Sequence, residues 1–270
     1  MSSAAAHQPR KRFGQHFLHD PMVIDRIVMA IRPIPGQRLV EIGPGLGALT
    51  IPLLRAAGEL DAVELDRDLP EPLQARCQGI GTLRIYQADA LTFNFAALRG
   101  SAANPRLRIA GNLPYNIATP LLFHLLTQAI HLHDLHLMLQ QEVAQRMAAG
   151  PGDPAYGRLS VMVQYRCRVE LLFTVGPGAF RPPPKVQSTV VRLVPRETLA
   201  VAVQDEARLA EVVRLAFAQR RKTLRNSLRE VLDAAEIKAA GVEPGARPET
   251  LDLAAFAALS DALTDRRRNG

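Results

Sequence analysis

The chain has only two cysteines in 270 residues, Cys77 and Cys167. Two thiols supply neither a disulfide framework nor a zinc-ligand set, and they suit a reducing compartment, so a cytoplasmic protein is expected. No apolar run approaches the roughly 20 residues that span a membrane, and the N-terminus lacks the apolar core of a secretory signal. The same end is poor in acids and carries Arg10, Lys11 and Arg12, which suits a basic arm facing RNA better than a short transit peptide. No segment repeats at a fixed period, which excludes solenoids and propellers. His131, His133 and His136 imitate metal-ligand spacing but have no cysteine or carboxylate set beside them, so no metal is expected.

What is present is globular and basic. Hydrophobic residues make up 47% of the chain, the formal charge is +7 and the pI is near 10.0. A basic balance favours a polyanionic partner such as nucleic acid. The charge is concentrated: residues 220 to 229 hold Arg220, Arg221, Lys222, Arg225 and Arg229 with no acid among them. From Arg208 to Arg229 the apolar positions Val213, Phe217, Leu224 and Leu228 recur at helical spacing, which predicts one helix with Arg214, Arg221 and Arg225 beside its apolar seam. Such a ridge suits RNA phosphates, and equally a solvated face. Pro195 to about Val203 is expected to link this helical end to what precedes it.

The first two thirds alternate short apolar strands with helices. Asp20-Pro21 opens a helix that Pro33 stops. Leu39-Val40-Glu41-Ile42 predicts a strand running into Gly43-Pro44-Gly45-Leu46-Gly47 and a second helix. A strand, a glycine-rich turn and a helix let a ligand approach the backbone. The loop lacks the last glycine of the dinucleotide fingerprint, because Ala48 follows Gly47. That omission weakens a nicotinamide-dependent oxidoreductase and favours S-adenosylmethionine, which brings no pyrophosphate. Glu64 ends the next strand at the distance where an acid accepts ribose hydroxyls. Asp89 follows the third strand, in position to accept an adenine amine or to cap a helix.

Asn112-Leu113-Pro114-Tyr115 closes a fourth strand. Pro114 biases Leu113 towards an extended backbone, which groups an amide oxygen, a free carbonyl and an aromatic face at one corner. Two acceptors and a stacking plate suit the exocyclic amine of an adenine or cytosine. Downstream, Phe180-Arg181-Pro182-Pro183-Pro184-Lys185 is a stiff loop between two edge strands. It is expected to stand Phe180 opposite Tyr115 as a second wall for an extruded base, with Lys185 near phosphate.

These motifs together resemble the bacterial small-subunit ribosomal RNA dimethyladenosine transferases. The resemblance runs nearly end to end, through Arg12-Phe13-Gly14-Gln15, the Glu41 to Gly47 loop, Glu64-Leu65-Asp66, Asn112 to Tyr115, Tyr156-Gly157-Arg158-Leu159-Ser160, Pro184-Lys185-Val186 and Arg220 to Leu228. It implies an α/β fold, a Rossmann-like class I methyltransferase with a mostly parallel seven-stranded sheet, over residues 1–197. A small all-α RNA-binding domain would follow over 198–270. The implied activity is transfer of methyl groups from S-adenosylmethionine to N6 of two adjacent adenosines near the 3′ end of small-subunit rRNA, by a monomer working on the assembling subunit. Catalysis would fall to Asn112, Leu113, Pro114, Tyr115 and Phe180. The cofactor would be held by His16, Leu18, Gly43, Gly45, Glu64, Asp89 and Asn112, and RNA by Lys185, Arg220, Arg221, Lys222 and Arg225. Many relatives carry asparagine where this chain has His16. Competing readings are an adenine methylase of another RNA or DNA, and an RNA-binding assembly factor without catalysis.

Overall fold

The structure is a computed structural model that describes residues 16–219 and 221–269. The expected basic arm at Arg10 to Arg12, and Arg220, lie outside the described residues. Among the described residues nine strands occur in chain order: β1 (Phe17–Leu18), β2 (Leu39–Ile42), β3 (Glu59–Glu64), β4 (Thr82–Gln87), β5 (Leu107–Asn112), β6 (Leu132–Gln140), β7 (Cys167–Val175), β8 (Phe180–Arg181) and β9 (Ser188–Pro195).

Seven of them form one sheet in the order β4-β3-β2-β5-β6-β9-β7. β2 to β6 run parallel, whereas β9 pairs antiparallel with β6. This is the mostly parallel seven-stranded architecture that the resemblance implied. All four residues of β2 and the first five of β5 are buried, as expected of central parallel strands covered on both faces. β1 and β8 make a separate two-stranded ribbon, pairing Phe17 with Arg181 and Leu18 with Phe180. Such short segments carry no periodicity, so the sequence does not announce them.

Helix Pro21–Ile31 begins as its sequence dictates. Asp20 accepts hydrogen bonds from the Met22 and Val23 amides, Pro21 occupies the first turn, and Ile27 and Ile31 point into the core. Near the amino end of β5, the Arg108 guanidinium makes two 2.8 Å hydrogen bonds to Asp134 and one of 2.7 Å to the Ile31 carbonyl. A buried fork–fork pair of this kind fixes geometry as well as charge. It braces the sheet at the edge opposite the strands' carboxyl ends.

Chain contacts divide the molecule into two units, Met1–Ala144 with Glu170–Pro195, and Gln145–Val169 with Arg196–Gly270. The second unit thus also takes residues that a boundary at 197 assigned to the first. The reason is packing: helix Arg158–Arg166 buries Val161 and Tyr165 in the apolar cluster of Leu209, Val213, Leu224, Leu228 and Phe256. The single helix expected over 208–229 is also corrected. Helix Glu206–Ala216 stops, Arg221 turns left-handed at φ 72°, and a short helix resumes at Leu224–Ser227. The Leu224 and Arg225 amides donate to the Ala246 and Pro244 carbonyls at 2.9 Å each, so this second segment is tied to another loop. No helix among the described residues is long and apolar enough to cross a membrane.

Candidate active site

The carboxyl ends of β2, β3 and β5, with the turn after β4, surround a cavity of about 350 Å³ in the first unit. This is where open parallel sheets place their ligands. Gly43, Gly45 and Gly47 all have positive φ. Two of them are also crowded: a Cβ on Gly45 would stand 3.1 Å from the Phe17 ring, and one on Gly47 would stand 2.5 Å from Leu73 Cδ1 and displace it. Gly45 therefore shapes the cavity wall, and Gly47 seats the following helix against its neighbour.

Glu64 lines the cavity with its carboxylate held in place. Oε1 accepts from the Asp66 amide at 2.8 Å and Oε2 from the Gly45 amide at 3.2 Å. Burial raises its pKa, while these amides oppose the shift by favouring the anion. Asp89 also lines the cavity, and its Oδ1 accepts from the Leu91 amide at 2.9 Å. The carboxylate closes a turn, not a helix, and keeps its cavity position.

Asn112 shows how the amide is aimed. Its Nδ2 donates to the His16 carbonyl at 2.9 Å. A carbonyl only accepts, so the contact fixes which end of the amide is nitrogen and leaves Oδ1, among the described residues, as the unspent acceptor. The Leu113 amide donates to the Met138 carbonyl at 3.1 Å. Among the described residues none donates to the Leu113 carbonyl. Leu113, Pro114 and Tyr115 line the same cavity as Asn112. Tyr115 is fixed at its hydroxyl, 2.6 Å from Ser188 Oγ, and burial raises the pKa of its phenol. Its ring lies 5.4 Å from that of His16, whose Nδ1 donates to the Pro182 carbonyl at 2.7 Å.

Ten of the residues expected at catalysis or cofactor binding therefore meet around one cavity: His16, Leu18, Gly43, Gly45, Glu64, Asp89, Asn112, Leu113, Pro114 and Tyr115. Phe180 does not. It is 2% exposed, packed in the apolar core and absent from the cavity wall. Register explains this: Phe180 pairs with Leu18 across the ribbon, and both side chains turn into the core. Lys185 is exposed and also lies off the cavity wall. Arg221, Lys222 and Arg225 are exposed in the second unit, and among the described residues no acid pairs with them. The terminal arginines differ, since Arg266 and Arg267 pair with Glu236 and Glu211 at 2.7 and 2.8 Å.

Of the cavity residues that the sequence did not single out, two bear on its chemistry. Phe17 contributes a ring at the glycine loop, for which its neighbours in a basic, aromatic segment were the only hint. Glu41 sits in the middle of a buried strand and gives no sequence signal beyond its motif. It is 2% exposed, and Oε2 has no hydrogen-bond partner. The Thr50 hydroxyl is near enough to favour the anion, yet makes no complete hydrogen bond. Burial, reinforced by Glu64, pushes the Glu41 pKa up to about 8.

Among the described residues, three carboxyl groups and no lysine or arginine line the cavity. That donor set suits a cationic nucleoside and disfavours a pyrophosphate, which needs balancing positive charge. A Rossmann-like sheet with this acid-lined glycine pocket defines a class I methyltransferase. Within that class the chain belongs to the ribosomal RNA adenine dimethylase family, whose family model matches residues 6–265. It is 56% identical to ribosomal RNA small subunit methyltransferase A of Pseudomonas putida, over 99% of this chain and 100% of that protein. It is 57% identical to the protein of that name from Nitrosococcus oceani, over 94% and 96%. Among solved structures, a dimethyladenosine transferase from Plasmodium falciparum superposes with a TM-score of 0.75 at 27% identity, covering 90% of this chain and 96% of that one. The 23S rRNA methyltransferase ErmE gives 0.68 at 25% identity, covering 92% and 99%.

Proposed function

We propose that this protein uses S-adenosylmethionine to convert two adjacent adenosines near the 3′ end of small-subunit rRNA into N6,N6-dimethyladenosine. When bound, the cofactor supplies an electrophilic methyl group on a sulfonium. The observation that carries the reading is the oriented Asn112 amide, with Nδ2 spent on the His16 carbonyl and Oδ1 left over at the cavity.

The adenine N6 lone pair is delocalised into the ring, so the amine is a poor nucleophile. Asn112 Oδ1 and the Leu113 carbonyl accept its two N–H groups and favour a pyramidal nitrogen. They supply orientation, and they stabilise the positive charge that develops on N6. Tyr115, anchored through Ser188, gives the extruded base a stacking face worth ~1–3 kcal/mol. Pro114 holds the corner rigid. The alkylated nitrogen sheds its proton to solvent, so no strong base is needed. After the first transfer one N–H remains, and a methyl takes the place of one hydrogen bond.

Glu64 accepts the ribose hydroxyls of the cofactor and Asp89 its adenine amine, with Gly43 and Gly45 giving access to the backbone. His16 and Leu18 close that side. The protein acts as a cytoplasmic monomer on the assembling subunit, and Lys185, Arg220, Arg221, Lys222 and Arg225 face RNA phosphates. The helical unit is its RNA-binding part. The test is to incubate small subunits lacking the modification with labelled cofactor and map the nucleosides. Dimethyladenosine at two adjacent positions near the 3′ end is expected. Label in large-subunit RNA or DNA alone, or no label, would reject the reading.

A further inference from the structure

Glu41 places a carboxyl against the cavity at a point where the fold gives it nothing to do. It is 2% exposed, its Oε2 makes no hydrogen bond among the described residues, and it lines the same space as Glu64 and Asp89. The groups that act on it are few. Thr50, on helix Thr50–Ala57, offers a weak dipole, and Glu64, at the end of β3, adds a like charge. The Cys77 thiol, just beyond helix Pro70–Arg76, feels the Glu41 charge in turn. No lysine or arginine acts on Glu41 among the described residues. A buried acid in such surroundings stays protonated around neutral pH, and a cation brought beside it restores the anion.

We propose that Glu41 is a proton-linked counter-charge for the cofactor, ionising more fully when the sulfonium form fills the cavity than when the neutral thioether product does. The inference rests on the S-adenosylmethionine reading of this pocket. Both ligands carry an α-ammonium, but only the methyl donor carries a second positive charge on sulfur. Taking the proton from Glu41 strengthens binding of the donor. Once the methyl has left, the disappearance of the sulfonium charge lets the carboxyl take a proton back, which loosens the product. One residue thereby favours fresh cofactor over spent cofactor without any change in shape.

Titration calorimetry on the full-length protein at pH 7, in buffers of different ionisation enthalpy, tests this. S-adenosylmethionine and S-adenosylhomocysteine are titrated separately into wild type and Glu41→Gln. In wild type the apparent enthalpy should vary with the buffer, showing proton release, and the slope should be steeper for the sulfonium ligand. Glu41→Gln should remove that difference. In wild type alone, which keeps the test independent of the variant's folding, the affinity ratio of sulfonium to thioether should rise severalfold between pH 6 and 8 and level off above. Equal slopes for the two ligands, a ratio flat with pH, or a difference that persists in Glu41→Gln would each overturn the proposal. Binding without proton exchange rejects only the role of Glu41. Absence of binding by either ligand rejects the cofactor reading as well.

Discussion

The Glu41 carboxyl has a cost in the empty protein that a stability curve should reveal. Its folded pKa is about 8 against an ordinary value of 4.5. Below pH 4.5 both the folded and unfolded states hold the proton and stability is undiminished. Between pH 4.5 and 8 the unfolded chain ionises while the folded site resists, so stability falls as pH rises, and above 8 there is no further decline. At pH 7 the accumulated loss is on the order of 3 kcal/mol. Glu41→Gln should therefore gain in melting temperature over wild type as pH goes from 5 to 8 without ligand. A gap that stays constant would contradict the effect of burial. The Asn112 corner was legible at this scale because its chemistry lies within four consecutive residues. The isolation of Glu41 was not, since being unpartnered is a property of what surrounds a side chain in space.

The ribbon of β1 and β8 decides that Phe180 is kept from the cavity. Phe180 packs with Leu18 in the core and Tyr115 faces the cavity, so the two rings should fail differently. Phe180→Ala should cost about 3–5 kcal/mol of stability and show first in thermal melting. Tyr115→Ala, which unpairs only the Ser188 hydroxyl and removes a half-buried ring, should melt closer to wild type than Phe180→Ala and lose turnover. The reverse pattern would restore Phe180 as a base wall. The glycine loop makes a parallel claim. Gly47→Ala adds a Cβ at φ +84° within 2.5 Å of Leu73, and should lower the melting temperature and weaken cofactor binding together. Strands β2 to β6 were readable because apolar runs ended at glycine, proline or an acid. The break between Ala216 and Leu224 was not. Leu224 and Leu228 are buried although the helix is interrupted before them, so the apolar spacing persists across a break that periodicity alone cannot detect.

For the whole molecule the basic balance matters through its distribution. Arg84, Arg108, Arg166, Arg266 and Arg267 pair with acids, whereas Arg221, Lys222 and Arg225 are exposed without an acidic partner among the described residues. Replacing all three with alanine should weaken binding to small subunits and flatten its dependence on salt, by about one unit of log–log slope for each phosphate no longer neutralised. An unchanged slope would place the RNA-facing surface elsewhere. The charge concentration was visible in the sequence, but its division between two units was not, because Gln145–Val169 joins the later residues only through tertiary packing.

In the proposed reaction the Asn112 amide oxygen and the Leu113 carbonyl grip the target amine beside the methyl donor. Single-turnover methylation of unmodified small subunits by Asn112→Ala, with cofactor affinity measured in parallel, tests it most directly. The expected result is a transfer rate about 100-fold or more below wild type with cofactor affinity largely retained. Transfer within about threefold of wild type would contradict it.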